Sequence, residues 1–251
     1  VLNAKRSERY LGRKLCFGSF HEAEIGNRVS SGWGAFMKYK SELCNKHSSL
    51  RNRMRLFDAV VTPRVIYGCA AWTLKDADEK RLRTCRRHML RMMFAARRRV
   101  IDSPEELSQS EGDSGDDACN EEVAEDEEDT LEPWADFIQR VTHNIETQLE
   151  NVSSEDWVTT HRKKKWKFAG RTATVTDQRW SKRVLAWKPA GVRLVGGQFR
   201  RWSDCIEKLT GADWMVSAMD TDVWLLAEHG YVYRDDADEL FGKRPREVAT
   251  V

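Results

Sequence analysis

A block of acidic residues interrupts a chain that is otherwise basic along its whole length. Between Asp102 and Asp136 there are 16 Asp and Glu residues and no Lys or Arg. A segment with so few apolar groups cannot offset the conformational entropy lost on folding. The sequence therefore predicts a disordered acidic linker over 101–132, which separates a region over 1–100 from a region over 133–251.

The charge outside this block limits the kinds of partner that the chain can bind. The net charge of +2 is the balance of 42 Lys and Arg against 40 Asp and Glu, and 24 of these acidic residues lie outside the block. A strongly basic body indicates a polyanionic partner such as RNA or DNA. The alternative is a protein-interaction module in which the acidic linker recruits a basic partner.

Apolar runs and cysteine spacing argue against two further classes of protein. No run approaches the roughly 18 consecutive apolar residues of a transmembrane helix, so we expect no membrane partner. The six cysteines form no C-x-x-C pair and no grouping with His of the kind that zinc sites need. We expect free thiols in an intracellular compartment, and neither a bound metal ion nor a small-molecule substrate.

Apolar periodicity predicts a mainly α-helical chain that begins with a short β-hairpin. Alternation between glycines favours the hairpin over 10–18. Helical spacing follows over 25–43, over 50–61 after Ser48 or Ser49 as N-cap, over 76–94, from Pro133 onward, and around 155–168, 178–187, 200–210 and 213–228. Eight of the ten Trp residues lie after residue 130, so we expect a small, Trp-rich helical tail with its own aromatic core.

The helix that begins near Asp76 combines an apolar stripe with many cations. Asp76 as N-cap and Glu79 three residues later form a capping-box pattern. The predicted buried stripe is Leu82, Cys85, Met89, Met92 and Met93. The candidate phosphate-binding residues on the other faces are Lys80, Arg83, Arg86, Arg87 and Arg91. Such a face can position a duplex without reading its bases; the alternative is a solvated face with no ligand.

A second basic cluster adds an aromatic ring to a run of cations. Its members are Arg162, Lys163, Lys164, Lys165 and Trp166. Cations beside a stacking surface suit single-stranded nucleic acid. The alternatives are a nuclear-import signal or the polar end of a helix, and we expect a nuclear location.

Several segments follow one another in an order that is more specific than any one of them. "YLG" at Tyr10 to Gly12 precedes "EIGNRVSSGWGAF", "LRNRMRLFDAVVTPRVIYGCAAWTL" and "RLRTCRRHMLRMMF", and the second half contains "KFAGRTATVTDQRWSKRVLAWKP" and "RRWSDCIEKLTGADWMVSAMDTDVW". This order resembles the C-terminal part of a reverse transcriptase from a non-long-terminal-repeat retrotransposon of the RTE-like group. Arg171 and Cys205 depart from the family pattern, in which His and Asp are usual at these positions.

The resemblance implies roles for the first hundred residues. Tyr10, Leu11 and Gly12 would belong to the hairpin that helps to hold the primer end, and the next three segments would form the helical, thumb-like bundle that grips the template–primer duplex. The Trp-rich segments would form the tail of the same RNA-directed DNA polymerase.

Catalysis by that family requires a part that this sequence does not contain. Nucleotide transfer uses paired carboxylates of the palm, which hold two Mg²⁺ ions. Because the chain starts at Val1, after the expected position of those carboxylates, we expect the palm and fingers upstream as partners and an inactive fragment without catalytic residues. Tyr233-Arg234-Asp235-Asp236 matches the Y-x-D-D shape of the polymerase site. It follows the thumb-like segment instead of preceding the hairpin, so we interpret it as an acidic surface turn.

Overall fold

A two-stranded hairpin followed by a series of helices makes up the part of the chain that the computed structural model describes, residues 8–15, 20–100, 131–152, 154–177, 179–188 and 200–234. This confirms the predicted fold class, mainly α-helical with one antiparallel hairpin. The predicted acidic linker lies outside the described residues except for Leu131 and Glu132.

The hairpin closes through a two-residue turn. β1 (Glu8–Tyr10) pairs with β2 (Arg13–Leu15), so that Tyr10 lies opposite Arg13. Leu11 and Gly12 form the turn with φ of 47° and 75°. Positive φ at both turn positions gives a twist that matches the flanking strands. The sequence prediction of a hairpin is therefore confirmed.

Four helices and a short 3₁₀ turn follow the hairpin. They are α1 (Phe20–Lys38), α2 (Lys40–Leu43), α3 (Leu50–Val60), α4 (Thr62–Val65) and the turn Cys69–Ala71. Ser49 caps α3 as predicted, because its side chain accepts a hydrogen bond from the Asn52 N–H at 3.3 Å. Glycine in α1 allows a close crossing with α4, since a Cβ at Gly32 would lie 2.4 Å from Cγ2 of Val65.

The predicted cap of α5 (Asp76–Met93) is wrong by one residue. The N-cap is Lys75, whose backbone N–H donates to the Asp78 carboxylate at 3.0 Å. Asp78 therefore occupies the third helical position that the sequence pattern gave to Glu79, and Glu79 is buried instead. The apolar stripe is confirmed: Leu82, Cys85, Met89 and Met93 are buried, and Met92 is half-buried.

α6 (Trp134–Glu150) begins directly after a bridge that joins the two sides of the acidic block. Val100 and Leu131 form an antiparallel β-bridge. The Glu132 carboxylate pairs with Arg140 at 2.5 Å, and the Glu132 carbonyl accepts a hydrogen bond from Arg98 at 2.7 Å. Leu131 and Glu132, the last two residues of the predicted linker, therefore contact the folded helices.

Two hydrophobic clusters meet within α7. The remaining helices are α7 (Trp157–Thr174), α8 (Trp180–Ala186), α9 (Asp204–Thr210), α10 (Trp214–Ser217) and α11 (Thr221–Val232). The start of α7 joins the cluster of α1–α6, where Trp157 stacks on Phe57 with ring centroids 6.0 Å apart. The predicted aromatic core of the tail is present around Trp166 and Trp224, whose rings stack at 3.9 Å. The division into 1–100 and 133–251 as separate units stays a prediction.

Gly170 sets the approach of α7 to α11. A Cβ at this position would lie 2.6 Å from Nε1 of Trp224, a ring already held by its stack on Trp166. We expect Gly170→Ala to lower the free energy of unfolding by about 1–2 kcal/mol, because overpacking outweighs the better helix propensity of alanine. Urea unfolding followed by circular dichroism measures the change.

The matched control for this substitution is Gly34→Ala in α1. A Cβ at Gly34 would meet nothing within 4 Å. The control should stabilise the protein by about 0.5–1 kcal/mol through helix propensity alone. Equal effects of the two substitutions would show that the α7–α11 approach is not tight.

Candidate nucleic-acid interface

The hairpin is anchored to α1 by a buried ion pair. The Glu24 carboxylate is fully buried and accepts hydrogen bonds from the Lys14 backbone N–H at 2.6 Å and from Nε of Arg28 at 2.7 Å. The Arg28 guanidinium also donates to the Gly12 carbonyl. Because this one pair reaches both the second strand and the turn, it fixes the orientation of the hairpin against α1.

The turn itself is held from the other side by Tyr67. The Tyr67 hydroxyl donates to the Leu11 carbonyl at 3.2 Å, and the Arg28 guanidinium lies over the Tyr67 ring, 4.7 Å from its centroid. Protein groups therefore hold the carbonyls of both turn residues, Leu11 and Gly12. The side chains of Tyr10 and Leu11 are 64% and 74% exposed. The structure therefore presents an aromatic and an aliphatic side chain on a rigid tip.

A groove of about 640 Å³ lies beside this tip, between α1, α3 and α4. Its cationic and aromatic lining residues are Arg28, Lys38, Tyr39, Arg64 and Tyr67, and Gly34 also lines it. The lining contains no Asp or Glu among the described residues. We call this surface, defined by these six residues, the hairpin groove.

The positive charge of the hairpin groove comes from Lys38 and Arg64. Glu24 neutralises Arg28 at 2.7 Å, whereas neither Lys38 nor Arg64 forms an ion pair with another described residue. Lys38 and Arg64 are both exposed, and the Lys38 ammonium lies 5.4 Å from the ring centroid of Tyr39. Exposed cations beside aromatic rings can take phosphate oxygens without first breaking an internal ion pair.

The predicted arginines of α5 line a different site, a cleft of about 440 Å³ between α5 and α6. The arginines are Arg83, Arg86, Arg87 and Arg91, and the carboxylates in the same lining are Glu146, Glu150 and Asp156. Arg87 pairs with Glu146 at 2.9 Å, and Arg83 lies 3.6 Å from Asp156. We call this site the arginine cleft. Its charges are largely balanced inside the protein, unlike those of the hairpin groove.

The expectation that Arg86 faces away from the core is wrong. Arg86 is 7% exposed, and its Nη2 donates to the Ser154 hydroxyl at 3.0 Å. Ser154 in turn donates to Asp58 at 3.1 Å. Burial lowers the pKa of the Arg86 guanidinium. The physical reason is that α5 packs against α1, α6 and α7, so more than one face of the helix is covered.

Three members of the second predicted cluster are also buried. Arg162 and Lys165 are each 2% exposed and Trp166 is fully buried, so their predicted exposure to nucleic acid is wrong. Arg162 pairs with Glu79 at 2.6 Å, and the Lys165 ammonium donates to the Trp72 carbonyl at 3.3 Å. Burial lowers the pKa of Lys165. Arg162 and Lys165 join α7 to α5 and to the segment that follows the 3₁₀ turn, whereas Trp166 packs in the aromatic core of the tail.

The other two members of that cluster remain accessible. Lys164 is exposed, and Lys163 is half-buried and pairs with Glu155. Successive residues of a helix lie about 100° apart, so a run of four cations covers every side of α7. Because α7 lies between α5, α10, α11 and the 3₁₀ turn, part of that run must face inward. A nucleic-acid contact by Lys163, Lys164 or Lys80 stays a prediction.

A neutral histidine lies beside the buried cations of α7. His161 is 3% exposed, and its Nδ1 lies 2.9 Å from the Cys69 carbonyl. Since the carbonyl can only accept, Nδ1 carries the proton. Burial, helped by the nearby positive charge of Lys165, lowers the pKa of His161 to about 3. The imidazole is therefore a structural donor and stays uncharged at neutral pH.

The main residues of the hairpin groove were missed by the sequence patterns. Arg28 and Lys38 lie ten residues apart in α1, and Arg64 and Tyr67 belong to the α4 region. These two pairs come together because α1 crosses α4 closely at Gly32. The one sequence signal for this surface was the resemblance of the α1–α4 region to a polymerase thumb. That resemblance indicates which region contacts nucleic acid but not which side chains do so.

Four smaller predictions concern thiols, metals, the Y-x-D-D motif and membrane spans. The described cysteines, Cys44, Cys69, Cys85 and Cys205, are free as predicted, and Cys16 and Cys119 lie outside the described residues. Within the described ranges, no three His, Cys, Asp or Glu residues are grouped as a metal site. Asp235 and Asp236 lie outside the described residues, while the Arg234 guanidinium lies 3.9 Å from Glu79. None of the helices described has the length and apolar content of a membrane span.

Comparison with known proteins gives one informative similarity. A transposon-derived protein of Caenorhabditis elegans is 26% identical to the chain over 226 residues, which cover 86% of the chain and 67% of that protein. No protein-family model matches the chain, and no solved structure matches it significantly. The similarity supports a transposon origin for this chain.

Proposed function

We propose that this chain binds a template–primer duplex as the non-catalytic C-terminal portion of a retrotransposon reverse transcriptase. The transposon-derived relative supports the origin, and the motif order supports the type of element. The observation that carries the proposal is the hairpin groove, a basic and aromatic surface without carboxylates beside an exposed hairpin tip.

The chemistry of the hairpin groove suits a nucleic-acid backbone. Lys38 and Arg64 supply charges that no described carboxylate neutralises, so phosphates can bind them at low desolvation cost. Gly34 leaves space in the lining, because a Cβ at this position would meet nothing within 4 Å. Tyr10 and Leu11 lie at the tip, where apolar contact with the end of a primer strand is available. Such contacts position a duplex and carry no sequence preference.

The proposal assigns nucleotide transfer to the palm and fingers of the parent polymerase. In that arrangement the palm carboxylates and their Mg²⁺ perform the reaction, and this chain holds the duplex in place. A nuclear location is part of the same proposal.

Removing the free charges of the hairpin groove tests the proposal directly. We expect Lys38→Gln with Arg64→Gln to weaken binding to a primed duplex and to reduce the slope of log affinity against log salt. Each lost phosphate contact should lower the slope by up to about 0.9 for duplex DNA. Fluorescence anisotropy of a labelled primed duplex across a salt series provides both quantities.

Two exposed cations outside the groove supply the matched control. Lys46 and Lys167 are exposed and are absent from the groove lining. Their replacement by Gln changes the net charge equally, so it separates a local contact from a general charge effect. Equal salt slopes for the groove variant and wild type, with both folded by circular dichroism, would refute duplex binding in the groove. Equal losses in both variants would show non-specific attraction instead.

A further inference from the structure

α8 exposes two large aromatic side chains that have no place in either hydrophobic cluster. Trp180 is 73% exposed and Trp187 is 69% exposed, whereas Trp72, Trp157 and Trp166 are fully buried. α8 has no buried residue among those described. An exposed indole loses the burial that normally stabilises a Trp side chain, so two of them on one short helix indicate a surface that binds something.

The two indoles share one side of the helix. Trp180 and Trp187 are seven residues apart, which is about two turns and about 10 Å along the axis. Trp187 follows the last helical residue but stays attached, because its backbone N–H donates to the Arg183 carbonyl at 3.0 Å. Arg183 and Val184 lie between them on the same side, and Val184 is 63% exposed. We call these four residues the α8 stripe.

The charge around the α8 stripe is positive. The Arg183 guanidinium lies over the Trp180 ring, 4.6 Å from its centroid, and has no carboxylate partner among the described residues. Lys182 donates to the Val175 carbonyl at 2.6 Å and lies near Asp177, whose carboxylate pairs with Arg179 at 2.6 Å. Lys188 lies 3.8 Å from Glu207 as a loose, exposed pair. An approaching ligand therefore meets apolar rings and cations together.

We infer that the α8 stripe is a stacking platform for single-stranded RNA or DNA. Bases stack on indole rings whatever their identity, while cations beside the rings hold the phosphates. Stacked nucleotides are spaced about 3.4 Å apart, so rings about 10 Å apart match bases about three steps apart. A purely apolar partner helix would bury the Arg183 charge without a counter-charge, which disfavours that occupant. The inference adds an unpaired strand to the duplex partner of the proposed function, and it concerns a different surface.

Replacing the two indoles tests stacking separately from charge. We expect Trp180→Ala with Trp187→Ala to weaken binding to a labelled oligothymidylate by about tenfold or more. The salt slope should stay at the wild-type value, because no cation is removed. Trp180→Phe with Trp187→Phe should restore most of the affinity, since phenylalanine keeps a stacking face. Leu226→Ala with Val216→Ala is the control, since these side chains are 84% and 67% exposed on other helices.

Several outcomes would overturn the inference. Unchanged affinity of the Trp-to-Ala variant, or an equal loss in the Leu226 and Val216 control, excludes stacking on α8. A change in sedimentation from dimer to monomer without a change in oligothymidylate binding assigns the stripe to a protein contact instead.

Parallel titrations with a primed duplex keep this result independent of the proposed function. The Lys38 and Arg64 variant should lose duplex binding and keep single-strand binding, and the α8 variant should show the reverse. If the Lys38 and Arg64 variant keeps its duplex binding, the hairpin groove is refuted as the duplex site. If the α8 variant keeps its single-strand binding, the α8 stripe is refuted as the stacking platform.

Discussion

Glu79→Ala is expected to lower the free energy of unfolding by about 3–5 kcal/mol, because it leaves a buried guanidinium without its counter-charge. The side chains of Glu79 and Arg162 are 9% and 3% exposed and are joined at 2.6 Å. Arg162 also donates to the carbonyls of Val232 at 3.3 Å and Arg234 at 3.1 Å. Its charge therefore cannot reach water unless the end of α11 is displaced.

Urea unfolding measures this effect without the ionic screening that guanidinium chloride would add. Glu22→Ala is the control, since Glu22 is exposed in the first turn of α1 and its loss should change stability by under about 0.5 kcal/mol. Adding Arg162→Met to Glu79→Ala should recover much of the lost stability by removing the unpaired charge. A Glu79→Ala protein as stable as the Glu22→Ala protein would contradict the buried pairing.

Acidification from pH 7 to pH 5 is expected to cost about 2 kcal/mol through His161 alone. Burial, with the positive charge of Lys165 beside it, lowers the pKa of His161 from 6.5 to about 3. Below pH 6.5 the unfolded chain therefore binds a proton that the folded chain does not. The stability is fully present above pH 6.5 and falls by about 1.4 kcal/mol per pH unit until pH approaches the folded pKa.

His161→Gln separates this contribution from every other titrating group. The amide of glutamine does not titrate in this range, yet it can donate to the Cys69 carbonyl that now accepts from Nδ1 at 2.9 Å. Urea unfolding of both proteins at pH 7 and pH 5 should show a loss about 2 kcal/mol smaller for the variant. The same pH dependence in both proteins would mean that His161 is solvated in the native state.

Local sequence patterns predicted those structural features that depend only on residues close together in the sequence. The N-cap Ser49 and the stripe from Leu82 to Met93 both follow from short-range rules, and alternation predicted the hairpin but not the position of its turn. The cap of α5 was predicted one residue too late, at Asp76 instead of Lys75. Such an error is typical of short-range rules, since either of the adjacent carboxylates Asp78 and Glu79 can accept a hydrogen bond from the N-cap.

The side-chain environment of the cations could not be predicted in the same way. An apolar stripe tells which face of a helix meets one neighbour, but α5 and α7 each have several neighbours. Arg86, Arg162 and Lys165 lie on faces that a second or third helix covers, and each finds a polar partner there. The hairpin groove depends likewise on a crossing between segments that are distant in sequence.

The bridge between Val100 and Leu131 has a consequence for how related copies of this chain can diverge. Since Val100 and Leu131 are paired with each other, the number of residues between them in the sequence does not set the distance between α5 and α6. For a flexible segment between two fixed ends, doubling the number of residues changes the free energy of closure by only about 0.6 kcal/mol. Codons can therefore be gained or lost here while the helices that form the hairpin groove and the arginine cleft keep their packing. This position is a natural site for lineage-specific sequence.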